Sequence, residues 1–215
     1  MSIFPVQFIT ADIPDYSHTN QAIDACKAGI RWIQYRTKST PLEEWVQQAK
    51  QIREITAKHQ CVFIVNDNPQ VAIESNADGV HVGKHDVDLA QTRQLLRDKI
   101  VGYSCNTIAD LVFAQHHQAD YAGIGPYRYT STKHDLNPLL GQEGLMQVVA
   151  EYTESKLSVP IVAIGGIDFN DIDTLLAIGI RQVAVSSCII RALRSNQFEH
   201  IQRMIHSFEK FKSLC

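Results

Sequence analysis

Eight times along the 215 residues a short apolar run, rich in β-branched or aromatic side chains, is followed by a stretch of helical periodicity. That alternation dictates a parallel sheet whose strands are joined by crossover helices. The expected strands are Val6 to Thr10, Trp32 to Arg36, Val62 to Asn66, Gly79 to Val82, Ile100 to Tyr103, Tyr121 to Gly125, Ile161 to Gly165 and Gln182 to Val185. Bare runs such as Val62-Phe63-Ile64-Val65 are of the kind buried on both faces. Between strands, the stretch 42–58 sets Leu42, Trp45, Val46, Ala49, Ile52 and Ile55 on one stripe with charge opposite, as an outer helix requires. A doubly wound sheet gives the same alternation, but the count of eight favours a single (β/α)8 TIM barrel spanning 1–215. With 45% hydrophobic residues the chain is long enough to bury one such core.

Composition narrows the partners. Lys plus Arg number 20 against 23 Asp plus Glu, a net charge of -3 that leaves no basic footprint for nucleic acid, so a small molecule is expected. No apolar run approaches the roughly 20 residues that span a bilayer, and the first residues lack a signal-peptide pattern, so no membrane partner and a cytoplasmic location are expected. Cys26, Cys61, Cys105, Cys188 and Cys215 are odd in number and scattered, without disulfide or zinc spacing, and suit a reducing compartment. A homo-oligomer is left open.

A barrel binds ligands at the C-terminal ends of its strands, so the residues just after each apolar run are the candidates. After the second run, Gln34, Arg36 and Lys38 share one face and point to an anion, with a solvated strand end as the alternative. The third ends in Asn66-Asp67 and the fourth leads through His81 to Asp86. Carboxylates on neighbouring strand ends suit Mg²⁺, although Asp67, Asn68 or Asp86 would also serve as helix caps. His81 is expected to pack inside the barrel. The fifth run ends at Ser104-Cys105-Asn106, with a helix start at Asn106 as the plain reading. The long connection 126–142 carries Thr130, Ser131, Thr132 and Lys133, which suit either a closing phosphate-binding loop or a solvated one. Gly165-Gly166 after the seventh run and Ser186-Ser187 after the eighth form the usual barrel phosphate site. No Ser-His-Asp order, Walker loop or dinucleotide fingerprint accompanies them.

These residues resemble the thiamine phosphate synthase family over nearly the whole chain. The resemblance rests on Gln34-Tyr35-Arg36-Thr37-Lys38, Ile64-Val65-Asn66-Asp67, Ala77-Asp78-Gly79-Val80-His81-Val82-Gly83 with Asp86, Gly125-Pro126 leading to Thr130-Ser131-Thr132-Lys133, and Ala163-Ile164-Gly165-Gly166-Ile167. It implies condensation of hydroxymethylpyrimidine diphosphate with hydroxyethylthiazole phosphate, giving thiamine monophosphate and pyrophosphate through a dissociative carbocation. By the resemblance, the substrate site is the 34–38 segment with Asn66, Ser104, the 130–133 segment, Gly166, Ser186 and Ser187. Arg36, Lys38, Lys133 and Ser104 are the catalytic group, and Asp67 and Asp86 ligate Mg²⁺. Two departures stand out. Lys84 replaces the family's usual Gln and either adds a cation near the pyrophosphate or faces solvent, the second being the expectation. Asn106 replaces a common His on which the related thiazole tautomerase depends, which argues against an isomerase, as the two acids argue against a silent phosphate-binding protein.

Overall fold

The computed structural model describes residues 4–38, 40–129 and 138–212. Eight parallel strands, β1 (Val6–Ile9), β2 (Trp32–Tyr35), β3 (Val62–Asn66), β4 (Gly79–Val82), β5 (Ile100–Cys105), β6 (Tyr121–Ile124), β7 (Ile161–Ile164) and β8 (Val183–Val185), pair in sequence order, and β8 closes on β1. The closed barrel excludes the doubly wound alternative. Outside it run α1 (His18–Lys27), α2 (Leu42–Lys58), α3 (Pro69–Glu74), α4 (Leu89–Leu95), α5 (Ile108–His116), α6 (Gly141–Glu154), α7 (Ile172–Ile178), α8 (Ser187–Arg194) and α9 (Phe198–Lys212). The last helix lies outside the eightfold repeat; Ile201, Met204 and Phe208 bury it against the neighbouring elements. No described helix is long and apolar enough to cross a membrane.

Alternation along the strands divides the core in two. Outward-facing residues such as Phe8, Ile33, Phe63, Val80 and Val101 pack under the helices. On α2 the stripe is as expected at Val46, Ala49 and Ile52, whereas Leu42 in the first turn is 52% exposed and Thr56 is buried in its place. Inward-facing Ile9, Trp32, Ile64, Ile100, Tyr121, Val162 and Ala184 fill the barrel. Polar side chains share this interior, since Gln7, Gln34 and His81 are at most 5% exposed. Gly102 makes room for them. A β-carbon there would lie 2.2 Å from Tyr121 Cζ and 2.5 Å from His81 Nδ1, far inside van der Waals contact.

Candidate active site

The same inward alternation that fills the barrel carries on to its mouth. Two residues beyond Trp32, Ile64, Gly102, Val162 and Ala184 stand Gln34, Asn66, Ser104, Ile164 and Ser186, and all five line a cavity of about 380 Å³ with His81, Arg36, Lys38, Asp67, Asp86, Gly166 and Ser187. Tyr35 and Thr37, expected at the substrate, do not reach this cavity. Tyr35 faces outward by alternation, its hydroxyl donating to Gln48 Oε1 of α2 at 2.8 Å and its ring meeting His18 edge-on. Thr37 turns its hydroxyl to Asp12 and Thr40.

The 36–38 segment is held by a group that sequence reading passed over. Asp12, just after β1, accepts from Thr37 Oγ1 at 3.0 Å at Oδ1 and from the Lys38 N–H at 3.1 Å at Oδ2, while His18 Nε2 lies 3.0 Å from Oδ1 as well. His18 Nδ1 meets Thr10 Oγ1, which also accepts the Arg36 N–H. One carboxylate and one imidazole thus fix the backbone that presents two cations. Burial raises the Asp12 carboxyl, but the hydrogen bonds from His18, Thr37 and Lys38 outweigh it and hold the group below its ordinary value. For His18 burial dominates, and the imidazole titrates below its ordinary value in spite of Asp12. A histidine depressed on folding stabilises fully above its unfolded pKa of about 6.5 and loses that stability as the pH falls below it, because the unfolded chain then binds the proton more readily. The expected result is that His18→Gln flattens the fall of Tm between about pH 7 and about pH 5 relative to the parent; parallel Tm-against-pH curves for the two proteins would contradict it.

The acids are freed from capping. Asn68 caps α3, its Oδ1 accepting from Val71 N with Pro69 in the first turn, and Asp88 caps α4. Asp67 adopts φ 62°, a left-handed conformation tolerated best by Asn and Asp, and its N–H donates to His81 O at 2.7 Å. Asp86 Oδ2 accepts the Gly83 N–H at 2.7 Å, which folds the β4–α4 turn so that both carboxylates border one cavity. No group of three or more His, Cys, Asp or Glu able to hold a metal ion occurs among the described residues. Two carboxylates opening on a cavity nevertheless fit Mg²⁺, which commonly takes one or two carboxylates together with substrate phosphate oxygens and water.

Lys84 is exposed, as expected, and its ammonium bonds Asp110 Oδ2 at 2.7 Å at the border of the cavity. Burial pushes the Asp110 carboxyl up, but the Lys84 ammonium and the Asn106 and Thr107 amides more than reverse this. Asp110 also forms a capping box with Thr107, so α5 is capped by Thr107 and not by Asn106. Asn106 has another task. Its Nδ2 donates to Gly125 O at 2.8 Å and Pro138 O at 3.0 Å, tying together the two ends of the connection between β6 and α6. Thr130, Ser131, Thr132 and Lys133 lie within that connection and outside the described residues. Cys105 borders the cavity, but burial pushes its thiol up, which keeps it protonated.

At the far wall, Gly165 and Gly166 have φ 98° and 64°. A β-carbon on Gly166 would lie 2.7 Å from Arg128 Cβ, so only glycine allows this turn to sit under the β6 exit. Arg128 in turn grips Asp171 through two bonds of 2.5 and 2.6 Å. Beside this turn, α8 begins at Ser187, and the buried Ser186 Oγ has no hydrogen-bond partner among the described residues. An unpaired buried hydroxyl at a helix start is what an anion's oxygen would satisfy.

Comparison with known proteins agrees with this geometry. Residues 6–189 match the family model described as thiamine monophosphate synthase (TMP-TENI). The thiamine-phosphate synthase of Phocaeicola vulgatus is 38% identical over 188 residues, covering 87% of this chain and 90% of that protein. That of Bacteroides thetaiotaomicron is 39% identical over 190 residues, with the same coverage of 87% and 90%. The solved thiamine phosphate pyrophosphorylase of Pyrococcus furiosus superposes with a TM-score of 0.80 at 25% identity, over 95% of this chain and 96% of its own. A match running from the first strand into α8, together with relatives aligned along almost their full length, places this chain in the thiamine monophosphate synthase family.

Proposed function

We propose that the cavity at the barrel mouth joins an aminopyrimidine methyl diphosphate to hydroxyethylthiazole phosphate, or its carboxylated form, releasing pyrophosphate and thiamine monophosphate. The observation that carries this reading is one cavity lined by two separate sets of groups whose chemistry suits anions. Arg36 and Lys38 with Asp67 and Asp86 form one set, and the Gly165-Gly166 turn with the unpaired Ser186 hydroxyl the other. A diphosphate and a monophosphate would pair with them. Family membership supplies the chemistry between.

In that chemistry the carbon–oxygen bond to the diphosphate breaks with both electrons leaving on oxygen. The amino group of the pyrimidine feeds the resulting methylene cation, and the thiazole nitrogen donates its lone pair to form the new carbon–nitrogen bond. No protein nucleophile is required. Arg36 and Lys38 stabilise the charge that builds on the departing pyrophosphate, helped by Lys133. Gln34, Asn66 and Ser104 orient the pyrimidine half, and Thr130, Ser131 and Thr132 the thiazole half. Gly166, Ser186 and Ser187 anchor the thiazole phosphate, so that nitrogen and carbon are aligned before the bond breaks. Asp67 and Asp86 would hold Mg²⁺, which supplies further neutralisation of the pyrophosphate when bound. An isomerase would need a base where Asn106 stands, and that amide is spent on two carbonyls.

The test is pyrophosphate release from the two substrates with and without Mg²⁺, with the second product identified by mass. Magnesium-dependent formation of thiamine monophosphate is expected. A folded protein that binds hydroxyethylthiazole phosphate but releases no pyrophosphate would overturn the reading.

A further inference from the structure

Asp171, which precedes α7, has no part in the proposed chemistry, yet it is only 4% exposed. A buried carboxylate persists only where charge and hydrogen bonds compensate it. Both compensations are present. Arg128 Nη1 and Nη2 donate to its two oxygens at 2.5 and 2.6 Å, and the Asp168 N–H donates to Oδ2 at 2.8 Å. The fork fixes the direction of the guanidinium as well as its charge. Asp168 in turn bonds Arg191 of α8, but both of those side chains are exposed, so that pair adds little.

The Arg128–Asp171 pair brackets the glycine turn. Arg128 leaves β6 through Gly125-Pro126, and Asp171 follows Gly165-Gly166 by five residues. The two segments run side by side, with the Tyr127 N–H donating to Ile164 O and the Arg128 N–H to Gly165 O, each at 2.8 Å. They are in close contact as well. A β-carbon on Gly165 would lie 2.7 Å from Pro126 Cα, as one on Gly166 would from Arg128 Cβ. The Arg128 guanidinium also lies over the Tyr127 ring, 4.7 Å from its centroid. Backbone bonds, one cation–π contact and a bidentate ion pair therefore converge on two glycines in left-handed conformations. Glycine loses more conformational freedom on ordering than any other residue, so a turn built from two of them needs outside support to hold one geometry. Gly165 and Gly166 border the cavity, whereas neither Arg128 nor Asp171 is among its lining residues.

We infer that Arg128 and Asp171 are positioning residues for the phosphate of the thiazole substrate, clamping the Gly165-Gly166 turn so that its backbone meets the anion already ordered. The identity of the ligand rests on the synthase reading, whereas the clamp does not. Preorganisation removes an ordering cost from binding, so the clamp acts on one substrate. The pyrimidine diphosphate, held by Arg36, Lys38, Asp67 and Asp86, is indifferent to it.

Arg128→Met removes the fork and keeps an unbranched stem. It should raise the Kd of hydroxyethylthiazole phosphate, read by calorimetry, and its KM about tenfold, the scale of one charge-assisted hydrogen bond. The KM for the pyrimidine diphosphate and kcat at saturation should stay close to those of the parent. Arg128→Lys keeps the charge without the fork and should fall between the two. Asp171→Asn separates the clamp from simple electrostatics. Removing a negative charge would by itself tighten binding of an anion, but the clamp requires Asp171→Asn to weaken it. This variant leaves no buried charge unpaired, so it also decides the matter if Arg128→Met fails to fold. Adding it to Arg128→Met should raise the Kd no further, because the two residues act as one unit. Every measurement is made well below the Tm of the variant. Tighter or unchanged binding in Asp171→Asn would overturn the inference, as would equal rises in KM for both substrates. A parent protein that binds hydroxyethylthiazole phosphate but releases no pyrophosphate, with both variants weakening that binding, would sink the synthase reading and uphold the clamp.

Discussion

Asp67→Asn is expected to leave the protein folded and to reduce its turnover by about 10²–10³-fold, the usual effect of removing one group that stabilises transition-state charge. Asn is the informative substitution because of the backbone. At φ 62° a β-carbon crowds the neighbouring carbonyl, and Asn and Asp tolerate the left-handed region where Ala would add about 1–2 kcal/mol of strain. Asp67→Ala would mix strain with loss of charge. Asp67→Asn removes the charge and keeps the backbone, since the Asp67 N–H bond to His81 O is a backbone bond and α3 takes its cap from Asn68. The measurement is kcat across a magnesium titration, with Tm recorded in parallel. Turnover equal to that of the parent at every magnesium concentration would defeat the assignment of Asp67 to the metal.

Gly102→Ala is the second large effect, and it falls first on stability. The added methyl has 2.2 Å to Tyr121 Cζ and 2.5 Å to His81 Nδ1. Both neighbours are rigid rings packed among fully buried residues, so the barrel must shift to admit it. Overpacking of this kind costs about 3 kcal/mol. For a chain of this size that corresponds to a fall in Tm of roughly 6–12 °C. The rings cannot separate without breaking the 3.0 Å hydrogen bond between the Tyr121 hydroxyl and His81 Nδ1, and His81 borders the cavity, so activity should fall further than the unfolded fraction explains. A thermal scan and an assay well below Tm separate the two, and an unchanged Tm would show that the interior yields more easily than its geometry indicates.

Much of the barrel was legible because its strands are buried on both faces and its turns are polar, so each strand stands out as an apolar run. The observed limits of β3 and β4 are those expected, and the rest differ by one or two residues at an end. Helix α9 escaped the count because no strand precedes it. At the site, alternation brought Gln34, Arg36 and Lys38 to the cavity, and the rule that strand ends bind ligands brought Asn66 and Ser104 there. The same rule turns Tyr35 outward, so the motif as a block was too coarse a guide. Asp12 was overlooked because its partners, Thr37 and Lys38, lie 25 and 26 residues away, and nothing local marks a carboxylate that organises a distant loop. A signal did exist for Gln7 and Tyr121. Both are polar side chains at inward positions of buried strands, and a barrel interior tolerates such groups only when they are paired. Lys84 is exposed as expected, but its bond to Asp110 was not foreseen because that partner belongs to the next helix.

The amide of Asn106 bonds the carbonyls at both ends of the β6–α6 connection, and this separates the inheritance of the scaffold from that of the loop. With its two stems pinned to one side chain, a connection of altered length closes the same short gap, and lengthening it adds only a slowly growing loop-closure entropy. A change of length between the stems therefore need not re-register the strands, provided that Tyr127, Arg128 and the 130–133 segment used by the proposed reaction are kept. An engineer grafting loops, or a lineage drifting in loop length, meets its constraint at Asn106, Gly125 and Pro138.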